Sequence, residues 1–391
     1  KSWMEAFYQL EQLLKMLDDG KRQVVFFDEL PWMDTPRSGF LSAFENFWNG
    51  WCAGRDNMML VVCGSATSWI LSNLSRSRGG LYGRLTDEIK LSPFTLKECE
   101  EYFTSEGIEM SRYDIVQSYM VFGGIPYYLS YFQKGESFEG NADRMLFGSN
   151  PRLKDEFNRL FRAIFNNAED CKKIVCLLAT RHKGFTREEI ARATHLPLGG
   201  GLTDTLTTLI ESDFIMKYVP YGQSGNVEYY KLIDNFCLFW QKYVAPGNTG
   251  TTFLQDHATA SIMQSWKGVA FEEVCWQHIA QIKNALGIGG VNTRISAWNV
   301  SGNNNSEGAQ IDLLIFRADN VVNLCEMKFS GNEYTIGKEE EQKLRNRTDR
   351  LKQTLNSKQT VHLTMITTFG VAYGKHSGIA QKQLTLEELF Y

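Results

Sequence analysis

Residues 310–329 read QIDLLIFRADNVVNLCEMKF, two runs rich in Ile, Leu, Val and Phe on either side of the polar turn RADN. This pattern is typical of a β-hairpin with a short turn. If the turn is centred on Asp319, Asp312 lies directly opposite Glu326, with Cβ atoms roughly 4.5–5.5 Å apart. Side chains alternate along a strand, so Lys328 lies on the same face as Glu326 and opposite Gln310. We therefore expect two carboxylates and a lysine to lie close together.

Neighbouring carboxylates repel one another, and their proximity favours either a proton or a divalent cation between them. Carboxylate oxygens suit Mg²⁺, which keeps its remaining positions for water and substrate phosphate. A lysine beside such a site can orient the attacking water or stabilise charge on a scissile phosphate. The same spacing is also that of a solvated Asp–Glu–Lys face on an ordinary edge hairpin, and the spacing alone leaves this alternative open.

The succession of Asp312, a second strand and then Glu326-Met327-Lys328 resembles the core of the PD-(D/E)XK nuclease superfamily. The resemblance implies a nuclease dependent on Mg²⁺ or Mn²⁺, in which Asp312 and Glu326 bind metal and Lys328 positions water or phosphate. It also implies nucleic acid as the partner of this domain.

The superfamily usually has a further acidic residue on a helix before the hairpin. The apolar spacing of residues 267–286 predicts a helix at that place. Glu272 lies at the border of the apolar stripe of this helix, whereas Glu273 lies with Gln277 on the more polar side, which is expected to face solvent. Glu272 is therefore the candidate for the helical acid that supports the metal; an exposed helical glutamate is the alternative.

The composition limits the classes of function. The chain has 391 residues and a net charge of −4, so we expect two to four domains and no global basic field to hold nucleic acid. The apolar runs are too short to span a bilayer, and no signal peptide is visible. The eight cysteines form no CxxC pair, which favours buried, reduced thiols in the cytoplasm. We expect a cytoplasmic protein with no membrane partner.

Residues 24–32 read VVFFDELPW, and such an apolar run predicts a strand buried on both faces of a parallel sheet. Its end in Asp28-Glu29 resembles the Walker B strand of P-loop ATPases, in which the Asp helps to hold Mg²⁺ and the Glu polarises water. Residues 57–67 predict a second buried strand. That strand ends near Ser65, where ATPases of the AAA+ type have a polar residue beside the γ-phosphate.

Further segments follow in a fixed order: LYGRLT at 81–86, LSPF at 91–94 and GGIPYYL at 123–129. The series resembles the archaeal ATPase family within the AAA+/STAND group. The resemblance implies a helical lid around the third segment and self-association through the ATPase part. It also implies that Arg84 responds to nucleotide, with an ordinary surface arginine as the alternative.

The sequence contains no GxxxxGK[ST] motif. Without that loop there is no backbone cradle for the phosphates and no lysine at the β- and γ-phosphate oxygens. Members of the family have it upstream of the Walker B strand, and this chain opens on Lys1 rather than Met. We therefore expect a fragment or a degenerate member, with ATP as a ligand only where an upstream P-loop is present.

Residues 155–245 predict three short helices followed by two strands. These lie at residues 171–180, 187–193, 203–212, 214–219 and 227–232. Thr186 and Glu189 predict a capping box for the second helix. The order of elements indicates a winged-helix domain, which the same family has after its lid. The third helix has two acids and no Lys or Arg, so a structural or protein-contact role is favoured over reading of DNA.

These predictions describe an α/β multidomain protein: a partial P-loop ATPase sheet (1–95), a helical lid (96–154), a winged helix (155–245) and a restriction-endonuclease-like α/β domain (251–391). Residues 299–308 are polar and rich in glycine, which predicts a mobile loop at the mouth of the site.

Two functions remain open at this point. The first is an ATPase-family protein with a metal-dependent nuclease domain. The second is a non-catalytic, nucleotide-regulated switch or assembly protein whose nuclease-like domain is a binding module. The basic residues 336–355 form either a solvated helical face or a surface that follows phosphates near Lys328.

Overall fold

The computed structural model describes residues 2–64, 67–70, 73–74, 79–222, 227–247, 250–300 and 309–391. The chain forms two compact units that mix helices and strands. The first unit comprises residues 1–91, 162–168 and 203–212, and the second comprises 92–161, 169–202 and 213–391. Among the helices within these ranges, none is long and apolar enough to cross a membrane.

The α-helices, in chain order, are α1 (Trp3–Met16), α2 (Phe40–Gly50), α3 (Thr67–Ile70), α4 (Leu96–Ser105), α5 (Arg112–Phe122), α6 (Pro126–Leu129), α7 (Phe138–Leu146), α8 (Glu156–Ile164), α9 (Ala168–Leu178), α10 (Arg187–Thr194), α11 (Gly200–Glu211), α12 (Asn235–Phe239), α13 (Phe253–His257), α14 (Ser261–Gln277), α15 (Ile279–Ala285) and α16 (Lys338–Thr354). Shorter helices follow the 3-10 or π geometry, at Leu30–Met33, Cys52–Gly54, Trp240–Val244, Ser377–Ile379 and Leu386–Phe390.

The strands are β1 (Gln23–Phe27), β2 (Met58–Val62), β3 (Phe185–Thr186), β4 (Ile215–Tyr218), β5 (Tyr229–Leu232), β6 (Thr293–Val300), β7 (Ala309–Arg317), β8 (Val321–Lys328), β9 (Thr360–Thr367) and β10 (Lys382–Leu384). They form a two-stranded sheet β1-β2, a three-stranded sheet β3-β5-β4 and a five-stranded sheet β10-β9-β8-β7-β6.

In the first unit, β1 and β2 are parallel, as predicted. The expectation that both faces of β1 are buried is wrong, because Val24 and Phe26 are each 58% exposed. Helices α1 and α2 pack on one face only, where the ring of Phe27 lies 6.0 Å from Phe7 and 5.8 Å from Phe44. The continuous apolar run therefore predicted the strand correctly, but it did not predict how many faces of the strand are buried.

The segment from α4 to α7 is helical, and its assignment as a lid stays a prediction. Phe94 N donates to Gly124 O at 2.7 Å, so the LSPF and GGIP segments lie against each other. A Cβ atom at Gly124 would lie 1.9 Å from Phe94 O. The second glycine of GGIP is thus required by a close approach of two backbone segments.

Residues 155–245 contain the predicted helices and strands, although assignment to the winged-helix class stays a prediction. Thr186 and Glu189 form the predicted capping box at the start of α10. Strand β5 pairs antiparallel with both β3 and β4. The short strand β3 was not predicted, since two residues carry no periodicity.

In the second unit, the predicted hairpin is β7 and β8. Leu313 pairs with Cys325 and Phe316 with Val322, which is the predicted register. Asn320 closes the turn with φ of 64°. Strand β8 also pairs with β9, and this pairing is parallel. One face of the sheet buries Leu314 and Leu324 with α16 residues such as Leu344 and Leu351.

The loop predicted over residues 299–308 is only partly described. Asn299 lies in β6, so its placement in a loop is wrong, and residues 301–308 fall outside the described residues.

The helix predicted over residues 267–286 is interrupted. Helix α14 ends at Gln277 and α15 begins at Ile279, with His278 between them at φ −111° and ψ 31°. The His278 ring is fully buried, its Nδ1 lies 2.8 Å from Val274 O, and its Nε2 accepts a hydrogen bond from Leu96 N at 3.0 Å. Burial lowers the pKa of His278 to about 4, so the ring is neutral and links α14 to the start of α4.

Candidate active site

Glu326 and Lys328 lie at the carboxyl end of β8 and form an ion pair. Lys328 Nζ is 2.7 Å from Glu326 Oε1, and Arg347 Nη1 of α16 donates to Glu326 Oε2 at 2.7 Å. Glu340 Oε1 lies 3.4 Å from Lys328 Nζ. Both oxygens of Glu326 therefore face a cation, and one arginine of the basic stretch 336–355 belongs to this cluster.

These contacts fix the charge of Lys328. Burial opposes the charged ammonium, but the negative charges of Glu326 and Glu340 outweigh that penalty and raise the pKa of Lys328. The pKa of Arg347 is raised in the same way, against burial, chiefly by Glu326. Lys328 is therefore a protonated donor and a positive charge, and it is not a base at neutral pH.

Asp312 lies on β7 next to Leu313, whose pair with Cys325 is the last that the structure gives between β7 and β8. The predicted pairing of Asp312 with Glu326 therefore stays a prediction. Gln310 Nε2 donates to Asp312 Oδ1 at 2.6 Å. Trp276 Nε1 of α14 donates to the main-chain oxygen of Asp312 at 3.0 Å. The last hydrogen bond ties the strand that carries Asp312 to the helix that carries Glu272.

Three groups that can ligate a metal converge at this place. One atom each of His182, Glu272 and Asp312 lies within 4.8 Å of the other two, and His182 Nε2 is 2.7 Å from Glu272 Oε2. Burial, followed by the negative charge of Asp312, raises the pKa of Glu272 to about 8, and the charge of Glu326 acts in the same direction. The carboxylates thus form one negative site that a proton or a cation would stabilise.

His182 also faces Glu273. Its Nδ1 lies 3.1 Å from Glu273 Oε1, and Lys231 Nζ of β5 lies 2.5 Å from the same oxygen. The Glu273 side chain is fully buried, so the expectation that it lies on the solvent-facing side of the helix is wrong. That side is covered by β5 and by the loop after α9. Burial, and then the charge of Lys231, lower the pKa of His182, which favours a neutral imidazole.

The loop that carries His182 is held from several directions. Arg181 donates through Nη1 and Nη2 to the two carboxylate oxygens of Glu189. Tyr218 OH donates to Lys183 O at 2.7 Å. Gly184 has φ of 76°, and a Cβ atom there would lie 2.1 Å from the main-chain oxygen of β5 residue Tyr230. His182 is therefore placed by a fixed loop.

A cavity of about 20 Å³ adjoins this group of residues. That volume is close to what a single water molecule needs. It is lined by both polar and aromatic side chains. These include His182, Tyr218, Lys231, Trp276, Gln310 and Asp312.

The residues predicted from the ATPase motifs lie in the first unit. Asp28 is exposed at the end of β1 and accepts a hydrogen bond from Cys63 Sγ at 2.8 Å, which raises the pKa of the Cys63 thiol. Glu29 follows in the left-handed region, with φ of 48°. Arg84 is exposed and lines a small cavity with Phe44 and Leu60, among others. Ser65 lies outside the described residues.

Sequence reasoning missed His182, Lys231 and the site contact of Arg347. His182 stands 90 residues from Glu272 in a segment without a ligand-spacing motif, so only the tertiary fold unites them. Lys231 was predicted only as a residue of the strand 227–232, without a role in the site. Arg347 offered a weak signal, since the basic stretch was noted as a candidate surface near Lys328.

The chain shows limited similarity to known proteins. No family model matches the chain. It is 27% identical over 228 residues to an uncharacterized protein, MJECL04, of Methanocaldococcus jannaschii; the match covers 58% of this chain and 50% of the relative. The chain thus spans about half the length of that curated relative. It is also similar to the Walker-type ATPase PABY2304 of Pyrococcus abyssi, with 20% identity, a TM-score of 0.43, and coverage of 62% of this chain and 68% of that one.

Proposed function

We propose that residues 251–391 of the second unit form a metal-dependent nuclease domain that hydrolyses phosphodiester bonds of nucleic acid. The observation that carries this proposal is the convergence of Glu272 and Asp312, within reach of one ion, beside the ion pair of Glu326 with Lys328. The sequence resemblance to PD-(D/E)XK nucleases assigns the same four residues to one site. Acidic oxygens beside a protonated lysine supply the two requirements of such chemistry, a cation site and a donor for phosphate.

The donor set fits a divalent cation. Glu272 and Asp312 would hold Mg²⁺ or Mn²⁺, because hard cations prefer carboxylate oxygens. Glu326 would join them on exchanging one of its cationic partners for the ion. When bound, such an ion lowers the pKa of a water molecule and stabilises the leaving oxygen of a phosphodiester.

The other residues act on the substrate phosphate. Lys328 stays protonated, so its ammonium group can donate to a non-bridging phosphate oxygen or to the attacking water. Arg347, held at Glu326 Oε2, supplies a second positive charge at the same place. Because the whole chain has a net charge of −4, a local cluster of this kind is what would bind nucleic acid.

The test is cleavage of supercoiled plasmid, single-stranded DNA and RNA with Mn²⁺ or Mg²⁺. Wild type should cut at least one substrate, and Asp312→Asn and Lys328→Met should each lose most of that activity, by about 10²-fold or more. Asp319→Asn, which removes a carboxylate at the turn of the same hairpin, is the matched control and should cut like wild type. Equal cutting by wild type and Asp312→Asn would place the activity elsewhere.

We propose ATP as a ligand of the first unit only together with a P-loop, which these 391 residues do not contain. In that arrangement Asp28 would help to hold Mg²⁺ and Glu29 would polarise water. Ser65 would be the polar residue at the γ-phosphate position, and Arg84 would respond to nucleotide. The test is binding of a fluorescent ATP analogue by a chain that includes an upstream P-loop, with Glu29→Gln retaining binding and losing hydrolysis.

Two observations favour the second candidate, a non-catalytic binding module. Both oxygens of Glu326 are already engaged by Lys328 and Arg347. Helix α11, the third helix of the expected winged helix, has no basic residue, which is why a structural or protein-contact role is favoured over reading of DNA. A wild-type protein that binds nucleic acid or a protein partner without metal-dependent cutting, in the presence of the P-loop, would support this candidate.

A further inference from the structure

The side chain of His182 is placed where a metal ligand would be, although it comes from the loop between α9 and β3, outside the hairpin and helix that carry the proposed nuclease residues. Its Nε2 lies 2.7 Å from Glu272 Oε2. One ligand atom each of His182, Glu272 and Asp312 lies within 4.8 Å of the other two. One ion can therefore reach all three side chains after small adjustments.

The other ring nitrogen of His182 faces a second carboxylate. Nδ1 lies 3.1 Å from an oxygen of Glu273, a carboxylate that is fully buried. Among the described residues, neither Glu273 oxygen has a hydrogen bond of regular geometry, and Lys231 supplies the counter-charge at 2.5 Å. In the tautomer with the proton on Nδ1, the imidazole would offer that proton to the buried Glu273 carboxylate and leave Nε2 as the nitrogen that can bind an ion.

A proton on Nδ1 of a neutral ring leaves the lone pair of Nε2 pointing at the Glu272 carboxylate. Two acceptors at 2.7 Å repel one another unless a proton or a cation lies between them. Metal-binding histidines usually have a carboxylate beside the second ring nitrogen, because a hydrogen bond to it fixes the tautomer and increases the basicity of the ligand nitrogen. Glu273 lies in that position relative to Nδ1.

We propose that His182 is a metal ligand, and that His182, Glu272 and Asp312 form a mixed nitrogen and oxygen site for a divalent first-row transition ion. This inference rests on the proposed nuclease site and deepens it. An imidazole nitrogen shifts the preference of a carboxylate site away from Mg²⁺, so Mn²⁺ is the probe of choice and Mg²⁺ binds more weakly.

The surroundings suit such a site. The loop of His182 is fixed by the pairing of Arg181 with Glu189 and by the close approach of Gly184 to β5. Because this loop is already ordered, little conformational entropy is lost when His182 binds a metal ion. The cavity of about 20 Å³ beside His182 and Asp312 has room for one further ligand, a water molecule or a phosphate oxygen. The segment before the nuclease-like domain would then complete its metal site.

The experiment measures Mn²⁺ bound to the full chain by electron paramagnetic resonance, with electron spin echo envelope modulation to detect nitrogen at the metal. Wild type should bind one Mn²⁺ with ¹⁴N modulation from one imidazole. Labelling histidine with ¹⁵N should replace that signal, which identifies a histidine without any substitution. Mg²⁺ should displace the ion only at an excess of about tenfold or more.

Substitution then assigns the nitrogen. His182→Gln should abolish the ¹⁴N signal and weaken Mn²⁺ binding by about 10- to 100-fold. His195→Gln, at an exposed histidine in the same segment, should change neither property. Mn²⁺ bound at Asp312 with no nitrogen signal in wild type would overturn the inference, as would a nitrogen signal that survives in His182→Gln.

The failure of this inference differs from failure of the proposed function. Metal-dependent cutting with an all-oxygen Mn²⁺ signal would refute the role of His182 and leave the nuclease in place. A histidine-coordinated Mn²⁺ at His182 in a protein that cuts no nucleic acid would support the metal site and refute the nuclease.

Discussion

The buried His278 should make the stability of the second unit depend on pH. Its ring is fully buried and neutral, with a pKa of about 4, against an ordinary value of about 6.5 in the unfolded chain. Below pH 6.5 the unfolded chain therefore takes up a proton that the folded chain refuses. Stability attributable to this residue is complete above pH 6.5 and is lost as the pH falls toward 4.

The size of the effect follows from the difference between the two pKa values. A difference of about 2.5 units corresponds to a loss of about 3 kcal/mol by pH 4, with about 2 kcal/mol already lost at pH 5. His278→Gln removes the titrating group and keeps an acceptor for Leu96 N. The variant should be less stable than wild type at pH 7.5 and should close that gap, or reverse it, at pH 5.

The assay is urea unfolding followed by pulsed hydrogen exchange and mass spectrometry of peptides from α14 and α15, which reports on this unit alone. His195→Gln, at an exposed position, is the matched control and should follow the pH profile of wild type. A wild-type minus His278→Gln difference that stays constant within 0.5 kcal/mol from pH 7.5 to 5 would refute the reasoning.

Two further substitutions test packing in the same unit. Lys231→Met should cost about 3–5 kcal/mol, because it leaves the buried Glu273 carboxylate without its counter-ion, and adding Glu273→Gln should recover part of that loss in urea unfolding. Gly124→Ala should destabilise by 3 kcal/mol or more, since the new Cβ would lie 1.9 Å from Phe94 O and two backbone segments must separate. Gly331→Ala, where a Cβ meets nothing within 4 Å, should be nearly neutral when the thermal melts of the two glycine variants are compared with that of wild type.

Local signals in the sequence predicted local structure well. The hairpin register was predictable because the turn and the alternation of apolar residues fix which residues face each other, as the pairing of Leu313 with Cys325 shows. The capping box of Thr186 and Glu189 is equally local, since four consecutive residues contain the donor and acceptor of each bond.

Features that depend on distant parts of the chain were not predictable. The break at His278 coincides with a hydrogen bond to Leu96, 182 residues away, and the helical periodicity of residues 267–286 carries no trace of it. Glu273 is buried because β5 brings Lys231 over it. The exposure of Phe26 shows the same limit, since a run of apolar residues does not say which faces other elements cover.

The candidate site also contains residues that the sequence predicted and one that it did not. Asp312, Glu326 and Lys328 were proposed from one hairpin, and the structure places Glu272 near Asp312 through the hydrogen bond from Trp276. His182 enters from a loop with no motif. A search for titratable residues flanking the hairpin in sequence could not have found it.

The metal site is tested most directly in a crystal of the chain soaked in Mn²⁺, with anomalous differences measured near the manganese absorption edge. The proposed site predicts a peak bounded by Glu272, Asp312 and His182, with Lys328 still beside Glu326 or released from it toward the ion. Full occupancy of Mn²⁺ elsewhere on the protein, with no peak among these three side chains at saturating concentration, would contradict it.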